Sequence, residues 1–334
     1  MHTCTVALPI SDESFTSWVH RLPATTPAQY DLISEFKQLQ FAHPGSLDSF
    51  DPDFELTDMF WHSISVTFPI DGLNLKVFRP EALWIIPHNK SDYACRSCVA
   101  ESLRQIHRIA LYKKWRYVVA PICLVHREFL IDYGWRRDGN LNFLSAPSLR
   151  LRDDLSDRSV GVIIDMAMPI QSMMLKLENK ARSVHPLDLN YLTAEYQARK
   201  TLMEFFLIAN YAKNGIATQS ITEPKQPNSM LRAHGFKLLA QIGALEASAP
   251  ERACALIMMG VVSGYLSKQK VALLNKDAVT EHGIKNWDAI ELGSACHDTL
   301  GSDIRVALRH IESALAFFKT HNSNLFMKGL KPWV

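Results

Sequence analysis

Four residues in the first half of the chain have the types and the spacing to hold a metal ion. They are the ends of Cys95-Arg-Ser-Cys98 and, after twenty-four intervening residues, of Cys123-Leu-Val-His126. Two ligands two residues apart, repeated as a second such pair, is how a short loop-rich segment grips tetrahedral zinc. Four ligands leave no open coordination position for water or substrate, so the expectation is one structural zinc per chain that does no chemistry. His88 and His107 are the nearest other histidines and read as surface or capping residues, because the tetrahedral set is already complete. Cys4, Cys254 and Cys296 have no paired spacing. Cys254 lies in an apolar stretch and reads as a small core residue. In Cys296-His297 the neighbours point about 100° apart on a helix, so they do not make a nucleophile with its base.

Other chemistry is thin. The chain contains no G-x-x-x-x-G-K-[ST], G-x-G-x-x-G, G-x-S-x-G or H-E-x-x-H, which argues against a phosphate-cradling ATPase and leaves no enzymatic site to name. Asp153, Asp154 and Asp157 offer carboxylates for a metal-dependent nuclease, but Arg150, Arg152 and Arg158 stand among them; a self-neutralising solvated loop is the competing reading. The residues around the cysteines are basic. Arg96, Arg104, Arg108, Lys113, Lys114, Arg116 and Arg127 are opposed nearby only by Asp92, Glu101 and Glu128. Arg104, Arg108, Lys113, Lys114, Arg116 and Arg127 are therefore candidates for contact with nucleic-acid phosphates or a partner, and a charged solvated face is the alternative.

The elements that must position these residues follow from pattern and punctuation. Hydrophobic residues make up 47% and charged residues 21% of 334 positions, enough for a sizeable core and two or three domains. The net charge of +2 does not announce a nucleic-acid binder. The start, Met1-His-Thr-Cys, lacks a basic and apolar leader. The most apolar window, Ala253 to Leu266, is about 14 residues, short of the roughly 20 of a membrane span. With so few cysteines in paired spacing, a reducing, cytoplasmic setting is expected.

Phe15, Trp18, Val19 and Leu22 mark a first short helix stopped by Pro23, and Pro27 to Phe41 a second, together outlining a helix-turn-helix. Asp53 to Ser65 reads as a further short helix, Leu73 to Pro87 as short strands or extended chain leading into the knuckle, and Val99 to Trp115 as a helix. Tyr117 to Ile122 reads as a strand into Cys123, and Glu128 to Ile131 as its exit. Helices are then expected over Pro169–Ser183, Pro186–Asn214, Met230–Ala247, Pro250–Lys268, Asn286–Leu300 and Ser302–Thr320. The fold class is mostly α. An N-terminal domain, 1–133, holds the helix-turn-helix-like segment and a zinc knuckle at 93–132; a linker or rim occupies 134–168 and an all-helical C-terminal domain 169–334.

Two stretches together resemble one family. Leu8-Pro-Ile-Ser-Asp-Glu-Ser-Phe-Thr-Ser-Trp-Val-His-Arg21 is similar to the N-terminal signature of the TniQ/TnsD family of transposition target-selection proteins. Cys95-Arg-Ser-Cys98, then Lys114-Trp-Arg-Tyr-Val-Val-Ala-Pro-Ile-Cys123-Leu-Val-His126-Arg-Glu-Phe-Leu-Ile131, resembles that family's knuckle. The resemblance, strongest to TniQ of CRISPR-associated transposons, implies a non-catalytic adaptor. Such an adaptor links a target-bound complex, an RNA-guided Cascade, to the AAA+ regulator TnsC and through it to the transposase. It implies target DNA as a further partner, a homodimer, and a cytoplasmic protein acting at the nucleoid. A TnsD-like selector that reads DNA directly is the alternative; an unrelated zinc-containing nuclease or regulatory protein and a plain helical scaffold are the others. The chain departs from the family in lacking a second cysteine knuckle after Ile131 and in having Arg96 and Leu124 where prolines usually shape the turns.

Overall fold

The structure is a computed structural model. It describes residues 9–21, 53–54, 75–78, 84–87, 93–106, 109–133, 151, 155–183, 186–209, 215–222, 235–278, 284 and 286–331. Among them the chain is mostly helical with a few two-residue strands, in two compact units. The first lies within 1–117 and 131–146, the second within 118–130 and 147–334.

In the first unit, helix α1 (Phe15–Arg21) begins where Ser14 takes the N-cap position and accepts the Ser17 N–H at 3.2 Å. Its apolar side is fixed by rings: Phe15 meets Phe78 edge-on with centroids 5.4 Å apart, and Trp18 lies 5.2 Å from the same ring. Glu13, also buried, gathers this end of the unit. Its carboxylate accepts from Arg21 Nε at 2.6 Å and Nη2 at 2.7 Å, from Ser17 Oγ at 3.0 Å and from the Ile10 N–H at 2.9 Å. The N–H of Leu111 in turn donates to Ser17 Oγ. A buried carboxylate needs this much satisfaction to remain charged.

Leu75–Phe78 is a 3-10 turn where the sequence suggests a strand or extended chain, and Ile85 makes only an isolated bridge to Tyr117. Strand β1 (Tyr93–Ala94) pairs antiparallel with β4 (Ile131–Asp132), Tyr93 opposite Asp132. Helix α2 spans Arg96–Ile106, starting three residues earlier and ending well before the expected Trp115. The chain from 109 runs extended into a 3-10 turn at Lys113–Arg116. The second half of the helix-turn-helix outline, Pro27 to Phe41, and most of Asp53 to Ser65 lie outside the described residues.

The second unit opens with a hairpin of β2 (Ile122–Cys123) and β3 (Glu128–Phe129). Helix α3 (Asp157–Ser183) follows, then α4 (Pro186–Phe206), α5 (Ile216–Ile221), α6 (Phe236–Glu246), α7 (Ala249–Val262), α8 (Lys268–Asp277), α9 (Ala289–Leu300), α10 (Ile304–Phe318) and α11 (His321–Leu330). The α3 helix begins twelve residues ahead of Pro169, the expected start, because Ser156 caps it by accepting the Ser159 N–H at 3.1 Å. Residues 157–168, read from sequence as rim, are therefore helical. Helix α7 is the core: all its residues are buried, and α3, α4, α5 and α11 pack on it. Its start is held by Glu251, which accepts the Ser248 N–H at 2.6 Å and the Thr222 hydroxyl at 2.9 Å. By length and composition, 157–180 within α3 passes for a membrane span, with a mean hydropathy of 1.4. It also buries Gln171 and Glu178, the latter bonded to the Tyr196 hydroxyl, as the core helix of a packed unit does.

Candidate metal centre

Among the described residues, the ligand atoms of Cys95, Cys98, Cys123 and His126 all lie within 4.8 Å of one another. A tetrahedron with bonds of about 2.3 Å to sulfur has edges of about 3.8 Å, so small side-chain rotations bring this set to metal-binding geometry. The residues fit such a group by donor chemistry as well: three thiols and an imidazole, two of them buried, with no competing carboxylate in the set.

Local structure explains how each donor is aimed. Cys95 ends β1 and precedes α2, its carbonyl accepting the Val99 N–H at 3.0 Å while its sulfur accepts the Cys98 N–H at 3.3 Å. Cys123 ends β2, and His126 lies within the four-residue turn, 124–127, that leads to β3. Cys123 Sγ is 3.7 Å from His126 Nδ1, and the Cys123 carbonyl closes the turn on the Arg127 N–H at 2.8 Å. That turn places Arg127 at φ 54°, the left-handed region that glycine adopts without cost.

Among the described basic residues around this group, two are buried. Lys113 is 2% exposed and donates to the Val77 carbonyl. Arg116 is 8% exposed, binds the Ile86 carbonyl through Nε and Nη2, and lies 4.7 Å over the Phe54 ring. These two are withdrawn from partner contact, because buried cations must spend their donors on backbone oxygens. Lys114 sits 3.7 Å from Asp12 and over the Tyr112 ring. Arg127 pairs with Asp165 on an exposed face. Arg104 is exposed and, among the described residues, reaches only the Ala100 carbonyl of its own helix, at 3.4 Å. Arg108, His88, His107, Cys4, Asp153 and Asp154 lie outside the described residues. Cys254 and Cys296 are fully buried and burial pushes both thiols well up, so neither supplies a thiolate.

Sequence reasoning did not reach two buried side chains of the helical unit that bond the backbone of the hairpin carrying Cys123 and His126 and of the residues leading into it. Gln171 on α3 bonds both backbone groups of Ile122, and Arg252 on α7 donates to the Val118 carbonyl at 3.2 Å. The signal present was a polar residue inside each apolar helical stripe. Comparison with protein-family models, with curated proteins and with solved structures found no match.

Proposed function

We propose that the chain is a non-catalytic target-selection adaptor of transposition of the TniQ/TnsD kind, whose Cys95, Cys98, Cys123 and His126 hold one structural zinc. In this reading the protein acts as a homodimer in the cytoplasm, links an RNA-guided Cascade on target DNA to the AAA+ regulator TnsC, and cuts nothing itself. The observation that carries the reading is the closed Cys3His group. It is supported by what the residues of the N-terminal resemblance do: Glu13, Ser17 and Arg21 form one buried polar network beside Trp18, so the motif has a physical reason to occur as a set. Zinc is the metal of choice for three thiolates and an imidazole in a four-ligand site. Withdrawal of Lys113 and Arg116 from the surface weighs against direct DNA reading, which relies on phosphate contacts, and leads us to place the RNA-guided version first.

The test is co-expression with a Cascade complex, its guide RNA and a TnsC homologue of a CRISPR-associated transposon. The expected result is co-elution with the guide complex, one zinc per chain, and no cleavage of DNA in divalent metal. Tight, sequence-specific duplex binding by the purified protein alone at physiological salt would replace it with the TnsD-like reading; metal-dependent cleavage would overturn it.

A further inference from the structure

We infer that Gln171 is a positioning residue of the metal centre, acting through the backbone of the strand that carries Cys123. It sits on α3, 1% exposed. Its side-chain amide makes two hydrogen bonds to a single residue: Oε1 accepts the Ile122 N–H at 3.0 Å, and Nε2 donates to the Ile122 carbonyl at 2.8 Å. In a β-strand the N–H and C=O of one residue point the same way, and those of its neighbours point the other. The hairpin obeys this. The Pro121 carbonyl accepts the Leu130 N–H and the Cys123 carbonyl accepts the Arg127 N–H, both inward across the turn, while Ile122 faces outward. The free edge of β2 is thus closed by one glutamine side chain, which stands where a third strand would stand.

The consequence for the metal follows from chain geometry. Ile122 is bonded to Cys123, so fixing both backbone groups of Ile122 fixes the direction from which the Cys123 sulfur leaves the strand. The hairpin is short, its turn carries the non-glycine left-handed residue Arg127, and besides Gln171 the Arg127–Asp165 pair ties that turn to α3. A second anchor, Arg252, 0% exposed on α7, grips the carbonyl of Val118 at the hairpin's base. No other uncharged side chain does what glutamine does here. Methionine has the length and neither bond; asparagine has both groups and falls a methylene short. Groups that orient ligands in this way change metal affinity about 10–100-fold when removed.

This inference rests on the metal reading above, and the experiment separates the two. Cobalt(II) is titrated into the reduced, metal-free full-length chain, its ligand-field absorption is recorded, and zinc affinity is taken by competition with a chromogenic chelator. The native protein, Gln171→Met, Gln171→Asn and Ile170→Ala are compared. Ile170 is a buried apolar neighbour on α3 that packs toward Gly260 of α7, and its truncation destabilises the helix while leaving the Gln171 amide in place. The expected result is tetrahedral cobalt in the native chain, affinity reduced at least ten-fold with an altered spectrum in both Gln171 variants, and native affinity in Ile170→Ala. If the native chain takes up neither metal, the metal reading falls and this inference with it. If the native chain binds and Gln171→Met binds equally with the same spectrum, only the inference falls. Should the Gln171 variants fail to fold, hydrogen exchange of the native protein decides. Metal must then slow exchange both at 118–130 and in α3 around Gln171; protection confined to the hairpin overturns the coupling.

Discussion

Glu13 and Arg21 are the most consequential charged pair at the scale of single residues. Their side chains are 0% and 8% exposed, and the hydrogen bonds that Arg21 donates to Glu13, ahead of the burial that opposes them, hold its guanidinium above its ordinary pKa. Replacing Glu13 by alanine removes the carboxylate that accepts from Arg21, Ser17 Oγ and the Ile10 N–H in this buried cluster. Truncating one partner of a buried pair costs about 3–5 kcal/mol, so Glu13→Ala is expected to unfold the first unit's α1 region at temperatures where the parent is intact, read by proteolysis and Trp18 fluorescence. A Tm within a degree or so of the parent would show that the pair is worth no more than a surface bridge. At the metal centre the corresponding change is Cys98→Ser, which leaves three donors. Bound zinc is expected to fall from one per chain to a small fraction, with faster proteolysis between residues 93 and 132, because the free energy of metal binding is part of the free energy of folding there. Retention of stoichiometric zinc by the serine variant would contradict a closed four-ligand site.

Between elements, the crossing of α9 and α11 is a close backbone approach. A Cβ on Gly293 would stand 2.2 Å from the Phe326 carbonyl oxygen, and one on Gly329 would stand 2.0 Å from that of Ile290. Both obstacles are backbone and cannot swing away. Gly293→Ala therefore forces the helices apart, and overpacking of this kind costs about 1–3 kcal/mol, outweighing the gain of roughly 1 kcal/mol that alanine brings to a helix. Gly161 in α3 is the control, since a Cβ there meets nothing within 4 Å. Thermal melts should show Gly161→Ala above the parent and Gly293→Ala below it; the same sign for both would mean that the crossing is looser than drawn. This scale also shows why the sequence was only partly readable. Spacing alone brought out Cys95, Cys98, Cys123 and His126, because a metal site is written in adjacent residues. Helix α7 was visible in its unbroken apolar run. Helix α8 was not, since only Val271 and Leu274 of its stripe are buried. Helix α11 hid behind a Thr320 cap answered by Ser323 rather than the usual Glu or Gln. The burial of Lys113 and Arg116 could not be read from charge, because the carbonyls they bind are 36 and 30 residues away.

For the whole molecule, 36 basic and 34 acidic residues nearly cancel, so self-repulsion is small near neutrality and the pH dependence of stability is set by a few enclosed groups. Two of them lie in the helical unit and act with opposite sign. His310 on α10 has its Nε2 sealed from solvent without a hydrogen-bond partner among the described residues. Burial, and then Lys237 nearby, lowers its pKa from the ordinary 6.5. The folded state thus keeps the ring neutral where the unfolded chain takes up a proton. Its contribution is complete above 6.5 and is lost as pH falls toward the lowered value. Glu204 on α4 is the converse: burial, only partly offset by Lys200 and Lys237, raises its pKa from 4.5, so the folded state takes up the proton first and gains stability as pH falls. Each group alone tilts stability by at most about 1.4 kcal/mol per pH unit, and in the native protein the two tilts partly cancel. Single variants expose them. Between about pH 7.5 and about pH 5.5, the native Tm should fall relative to that of His310→Gln, and rise relative to that of Glu204→Gln. If the two variants run parallel to the native protein across this range, neither group is enclosed in solution as it is here. If His310→Gln diverges in the opposite direction, protonated His310 has found an acceptor, and the packing of α6 on α10 around Lys237 must differ.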